Sequence, residues 1–194
     1  MSIDPHVPPG QYLEIDRNSE TRHEYLFGEM VQVPGGSPSH SLIAANTCIA
    51  LGKRLQGSRC RVFNSSLRVC LDPASSFYVY PDLTIVEGDV QCLEDADETV
   101  TNPKVVVEVL SPGSRNVELG GKARMYLRVA SLTELLMIDQ DRIAVEHWVR
   151  RGEEWKMTVL EDRGAVVKME SVGCEVPVAE IYAGVGSRGP TEVK

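Results

Sequence analysis

The sequence predicts an α/β domain, a buried sheet flanked by helices, and three observations predict it. The elements alternate in the central order helix, strand, strand, strand, helix, strand, as layered α/β chains do. The run VVVEVLS, Val105 to Ser111, is almost wholly apolar and reads as a strand covered on both faces. At 194 residues, 42% hydrophobic and 25% charged, the chain suits one domain of ordinary size and is too short for two large ones.

Taken in order, QYLEIDRN predicts a short N-terminal helix, and HEYLFGEMVQV a strand or hairpin that stops at the turn signal PGGSP. SLIAANTCIALGKRLQ predicts a helix capped by Ser39, with Leu42, Ile43, Ile49 and Leu55 turned inward and Lys53 and Arg54 near its C-terminal dipole. Strands follow in CRVFNSSLRVCL, YVYPDLTIVEG and KVVVEVLS, the last two separated by an acidic loop, and these three are expected to pair as neighbours. A second helix is expected from about Glu118 to Val129, then strands LTELLMID and RIAVEHWVR around the turn QD. WKMTVL and AVVKME add two short strands, so the chain ends in further antiparallel strands before VAEIYAGV and the polar tail SRGPTEVK. The expected organisation is a flexible N-terminus over residues 1–11, a single domain over 12–185, and a flexible tail over 186–194.

Composition narrows the function classes. No apolar run approaches the roughly 20 residues that span a bilayer, and the N-terminal MSIDPHVPPG has no signal-peptide pattern, so a soluble protein without a membrane partner is expected. Five cysteines, scattered and never in CxxC, suggest neither a disulfide framework nor a zinc site and fit a reducing cytoplasm. A net charge of −8 weighs against nucleic acid, yet Met30 to Leu71 contains no acid and holds Lys53, Arg54, Arg59, Arg61 and Arg68. Solvated surface is the ordinary reading of such a run. GVGSRG matches GxGxxG without a strand-turn-helix context, and no P-loop or GxSxG motif occurs. His147 shares a strand face with Ile143, Val145 and Val149 and reads as a core histidine; Trp148 and Trp155 read as cover for a sheet face.

One residue does not fit the bland picture. Glu108 shares its face of the strand with Val106 and Leu110, and an unpaired charge there costs several kcal/mol or forces the group to take a proton. In the preceding strand Asp82 shares a face with Thr84 and Val86, so two carboxylates meet if the strands are neighbours. A divalent cation accepting hard oxygen ligands would compensate them. Leu119, Lys122, Tyr126 and Val129 recur at helical spacing, which puts Lys122 on the stripe facing the sheet. Gly120-Gly121 would let backbone or phosphate approach that helix's start.

These residues, in this order, resemble the Uma family of restriction endonuclease-like proteins, a branch of the PD-(D/E)xK nuclease superfamily. The resemblance runs from about Tyr12 to Val185 through HEYLFGEM, SPSHSLIAANTCIAL, CRVFNSSLRV, YPDLTIVEGD, NPKVVVEVLSPGS, ELGGKARMY, SLTELLMIDQDRIAVEHWVR and VAEIYAGV. It implies a restriction endonuclease-like mixed sheet with Asp82 and Glu108 as metal-binding carboxylates, catalytic together with Lys122. The superfamily's usual lysine slot, two residues past the glutamate, is Leu110 here; the resemblance to the family implies a lysine from the next helix instead, with Lys122 at the matching position. Glu24, Glu29, His40 and Glu118 also match family positions, as pocket residues or supports for the ligands. Ser66 and Glu118 stand where relatives often have aspartate.

The implied activity is Mg²⁺- or Mn²⁺-dependent hydrolysis of DNA phosphodiester bonds, with Lys53, Arg54, Arg59, Arg61 and Arg68 as backbone contacts and a homodimer supplying two active sites. Lys122, beside two carboxylates, is expected to stay protonated and act by charge and position. The competing expectation is a nuclease-fold module without catalysis that binds nucleic acid or a protein partner.

Overall fold

A computed structural model of the protein describes residues 2–5, 7–26, 28–72, 77–94, 96–111 and 121–186. Its elements, in chain order, are β1 (Ser2–Pro5), α1 (Pro9–Arg17), β2 (His23–Leu26), β3 (Glu29–Gln32), α2 (Pro38–Leu55), β4 (Cys60–Asn64), β5 (Arg68–Asp72), β6 (Phe77–Val79), β7 (Leu83–Glu87), β8 (Cys92–Leu93), β9 (Ala96–Val100), β10 (Val105–Leu110), α3 (Ala123–Tyr126), β11 (Glu134–Asp139), β12 (Val145–Arg151), β13 (Glu154–Leu160), β14 (Val166–Met169), β15 (Cys174–Pro177) and α4 (Val178–Ile181). The fold is mixed α/β, as expected, but the strands form two large sheets and a small one.

The site-bearing sheet runs β13-β12-β11-β10-β7-β4. The expected neighbours do pair: β7 lies antiparallel to β4 on one side and to β10 on the other. β10 and β11 are parallel, joined by the long connection through α3 that a parallel pair requires, and β12 and β13 continue antiparallel. The other large sheet runs β1-β3-β2-β6-β5-β9-β8, and β14 pairs with β15 as a separate ribbon.

Two predicted strands divide between the sheets. CRVFNSSLRVCL breaks at the turn after Asn64, giving β4 to one sheet and β5 to the other. YVYPDLTIVEG breaks at Tyr80 and Pro81, where proline has no N–H to give a ladder, so β6 and β7 fall in different sheets. The predicted acidic loop supplies β8 and β9 at the edge, and among the described residues the lysine helix runs from a wide π-type turn at Gly121 and Lys122 into α3, ending at Tyr126 rather than Val129.

β10 is buried throughout because both of its faces are covered. Val105, Val107 and Val109 pack with Leu83, Ile85, Leu136 and Ile138 under Ile43, Leu51 and Leu55 of α2. On the other face, Val106 and Leu110 join Leu135 and Met137 in a core shared with Leu26, Val69, Phe77 and Val79 of the second sheet and Met125, Tyr126 and Val129. Trp148 and Trp155 cover this second core at its margin, as expected. His147 is buried, with Nε2 2.6 Å from Glu134 Oε2.

The cap of α2 is Ser37, not Ser39. Pro38 takes the first helical position, where its missing N–H costs nothing, and the Ser37 hydroxyl accepts the His40 amide at 3.1 Å. The same hydroxyl donates to Gln140 Oε1 at 2.8 Å, tying the helix start to the end of β11. Ser37→Ala is expected to cost about 1 kcal/mol or somewhat more, and Ser39→Ala to stay within about 0.5 kcal/mol, in urea unfolding.

Candidate active site

The site lies between the two large sheets, at the C-terminal end of β10. Strand alternation turns Glu108 toward the second sheet, with Val106 and Leu110, and leaves it 3% exposed. Its compensation is Lys122, itself 6% exposed, whose Nζ stands 2.8 Å from Glu108 Oε1. The same ammonium donates to Glu24 Oε1 at 2.7 Å. One lysine therefore bridges a carboxylate from each sheet.

Glu24 arrives from β2, where it shares a face with the core residue Leu26. Its Oε1 also accepts the backbone N–H of Tyr80 at 3.0 Å. Glu108 Oε1 has a second donor in the hydroxyl of Tyr126. Tyr126 lies four residues after Lys122, so both project from one side of the turn and α3.

Asp82 sits one residue before β7. The last register pair between β7 and β10 is Val107 with Leu83, so Asp82 and Glu108 are the next residues in the chain beyond that pair. Asp82 Oδ2 accepts the Val109 amide at 2.7 Å, continuing the ladder with a side chain. His40, in the first turn of α2, places Nε2 3.3 Å from the same oxygen. Gly36 makes room for that ring: a Cβ there would stand 2.7 Å from His40 Nδ1.

The electrostatics favour a charged Lys122. Burial alone would lower its pKa, but Glu108 and Glu24, by charge and by hydrogen bond, outweigh it and hold the ammonium well above the usual lysine range. These surroundings favour the ammonium over the free amine. The donor set is hard: carboxylates with amide and hydroxyl support. Among the described residues no three His, Cys, Asp or Glu side chains gather into a ready-made cage. Asp82 and Glu108 are carboxylates, the kind of hard oxygen ligand of which Mg²⁺ takes one or two while keeping water or phosphate as the rest.

The remaining predicted positions fare differently. Glu29 is exposed on β3, opposite Leu26, and has no described contact with Lys122, Glu108 or Asp82. Glu118 lies outside the described residues. The basic segment does not converge on the site. Lys53 and Arg54 close the last turn of α2, about 20 Å from His40 by helix rise, and Arg54 is held by Glu180 at 2.8 Å. Arg59 and Arg61 lie at or before the start of β4, the end paired with Glu87, whereas its Asn64 end is the one near Asp82. Arg61 donates to the Gly88 carbonyl.

Arg68 corrects the DNA-contact reading outright. It is 2% exposed and turned inward, with Nη1 2.7 Å from Asp16 Oδ2, Nη2 2.6 Å from Glu98 Oε1 and Nε donating to Thr99 at 2.8 Å. Its strand lies in the interior of the second sheet, and the guanidinium turned inward from it is paired with acids inside the protein. The sequence puts Tyr126 on the inward stripe without a role, and nothing in it marks Tyr80 or Asp16. The spacing of Tyr126 from Lys122 could have flagged it; Asp16 and Tyr80 meet across a separation that no local pattern carries.

Removing Lys122 would leave two carboxylates facing each other in a largely buried place. Lys122→Met is expected to cost about 3–5 kcal/mol in urea unfolding at neutral pH, the loss seen when one partner of a buried pair is removed. Tyr126→Phe, which deletes a single donor, is expected to cost about 1–3 kcal/mol.

The geometry can be set beside known proteins. The family model described as Uma2, putative restriction endonuclease, matches residues 9–179. Among curated relatives, the uncharacterized protein sll1609 of Synechocystis sp. is 26% identical over 159 residues, covering 81% of this chain and 89% of its own. The uncharacterized protein slr1290 of the same organism is 25% identical over 181 residues, covering 93% and 94%. A crystal structure of a putative nuclease belonging to DUF820, from Anabaena variabilis, shares the fold at a TM-score of 0.75 and 17% identity, over 91% of this chain and 97% of that one. With most of its length matched, the chain belongs to the Uma2 family of putative restriction endonucleases.

Proposed function

We propose that the protein is a metal-dependent endonuclease that hydrolyses DNA phosphodiester bonds. One observation carries the reading: a lysine is buried between Glu24 and Glu108, with Asp82 and Glu108 each one residue beyond the last pair of β7 and β10. Such a costly arrangement of charge beside a hard-oxygen pair tends to mark function rather than folding.

Asp82 and Glu108 would hold Mg²⁺ or Mn²⁺, which when bound supplies a Lewis acid for the phosphate oxygens and a more acidic water. The chain's own groups then do the positioning. Tyr126 fixes Glu108 through Oε1, and the Val109 amide with His40 fixes Asp82 through Oδ2. Glu108 and Glu24 favour the charged form of Lys122, so its proposed work is to orient the attacking water or to stabilise charge on the phosphate. Cutting both strands of a duplex calls for two such sites, which a symmetric dimer would supply.

The competing reading is a nuclease-fold module that binds nucleic acid or a protein partner without cleavage. Its protein-partner form is favoured by the placement of Lys53, Arg54, Arg59 and Arg61 away from Asp82, and by a net charge of −8. Supercoiled plasmid in Mg²⁺ or Mn²⁺ separates the two. Nicking by the wild type is expected, lost in Asp82→Ala and Glu108→Ala and reduced about 10²-fold or more in Lys122→Ala. No cleavage of duplex or single-stranded DNA with either metal would leave the binding module.

A further inference from the structure

We infer that Asp16 is a positioning residue of this site, its buried carboxylate fixing the strand that bears Glu24 against the crossover that bears Asp82. The kinetic part of this inference rests on the nuclease reading; the geometric part does not.

Asp16 lies in the last turn of α1 with its side chain 1% exposed. Its two oxygens are divided between two segments. Oδ1 accepts the backbone N–H of His23 at 2.7 Å, immediately before Glu24 in β2. Oδ2 accepts the phenol of Tyr80, two residues before Asp82, and the Arg68 guanidinium at 2.7 Å. Tyr80 in turn gives its backbone N–H to Glu24 at 3.0 Å. The path closes on itself: Asp16, His23, Glu24, Tyr80 and back to Asp16. Lys122 hangs from the Glu24 corner of that ring, and Asp82 follows the Tyr80 corner.

Local structure explains why a tether is needed there. Tyr80 and Pro81 form the crossover between β6 of one sheet and β7 of the other, so regular pairing cannot fix their position. An apolar pair of similar volume would often serve folding as well as the buried Asp16 and Arg68. What it would lack is three directional bonds from one group, to His23, Tyr80 and Arg68. Arg68 is held on its other edge by Thr99 and Glu98, and the Tyr12 hydroxyl donates to the His23 carbonyl at 2.7 Å, so the ring is braced from outside.

Tyr80→Phe is the gentlest cut, since it removes only the phenolic bridge; Asp16→Asn removes the charge and serves as a second variant if it folds. Plasmid cleavage by Tyr80→Phe is expected to show kcat reduced about ten- to a hundredfold, with KM nearly unchanged. Val167→Ala, which loosens the core beyond the other face of β10, should lose stability while keeping kcat. A fall in kcat no greater in Tyr80→Phe than in Val167→Ala would overturn the inference. Should the wild type cut nothing, the nuclease reading fails by itself and a double-mutant cycle in urea decides. Tyr80→Phe combined with Glu24→Gln is expected to depart from additivity, and additive effects would overturn the coupling.

Discussion

The interior of this protein holds one ammonium between two carboxylates, and much of the rest is arranged around it. Glu108 occupies a strand that is buried at every position, where an uncompensated charge could not stay ionised. Lys122 supplies the compensation and extends it to Glu24 on the other sheet, so the same ion pair that resolves a local cost also joins the two layers. Buried ion pairs seldom add net stability over apolar packing, and their desolvation is only partly offset by attraction. This one makes most sense as a constraint on geometry.

That constraint is shared with the crossover points. The chain passes between the large sheets after Asn64 and again at Tyr80 and Pro81, and the latter passage delivers Asp82 beside the end of β10. Sheet pairing positions β7 and β10 but stops at Leu83 and Val107; beyond them, side chains take over from the ladder. The Asp82 carboxylate holds the Val109 amide, His40 reaches Asp82 from the first turn of α2, and Ser37 links that turn to Gln140. α2 also covers the opposite face of β10, so one helix both closes a core and lends a polar side chain to the site.

Much of this was legible in the sequence, for definite reasons. Period-two alternation puts Glu108 on a face with Val106 and Leu110 and Asp82 on a face with Thr84 and Val86, and helical spacing turns Lys122 inward, because those patterns depend only on local geometry. Other features depend on contacts far apart in the chain. Nothing near Arg68 indicates that its strand is interior, so an arginine in an acid-free run read as surface while it meets Asp16 and Glu98. Glu24 resembled a pocket residue, but its grip on Lys122 spans 98 residues. The divided strands were read as single because each half has the composition of a strand, and the break falls where the sheets diverge. The cap falls at Ser37 rather than Ser39 because Pro38, with its fixed φ and no N–H, suits the first helical position.

The account stands on the charge of Lys122, and heteronuclear NMR of the side-chain ammonium in the metal-free protein tests it most directly. With lysine labelled and Lys122→Met used for assignment, its resonance is predicted to remain that of a protonated amine past 10.5, the ordinary lysine value, with slowed proton exchange and correlations to both carboxylates. An amine that titrates at or below that value, exchanging as freely as the surface lysines, would mean that Lys122 is not the buried counter-ion of Glu108 and Glu24.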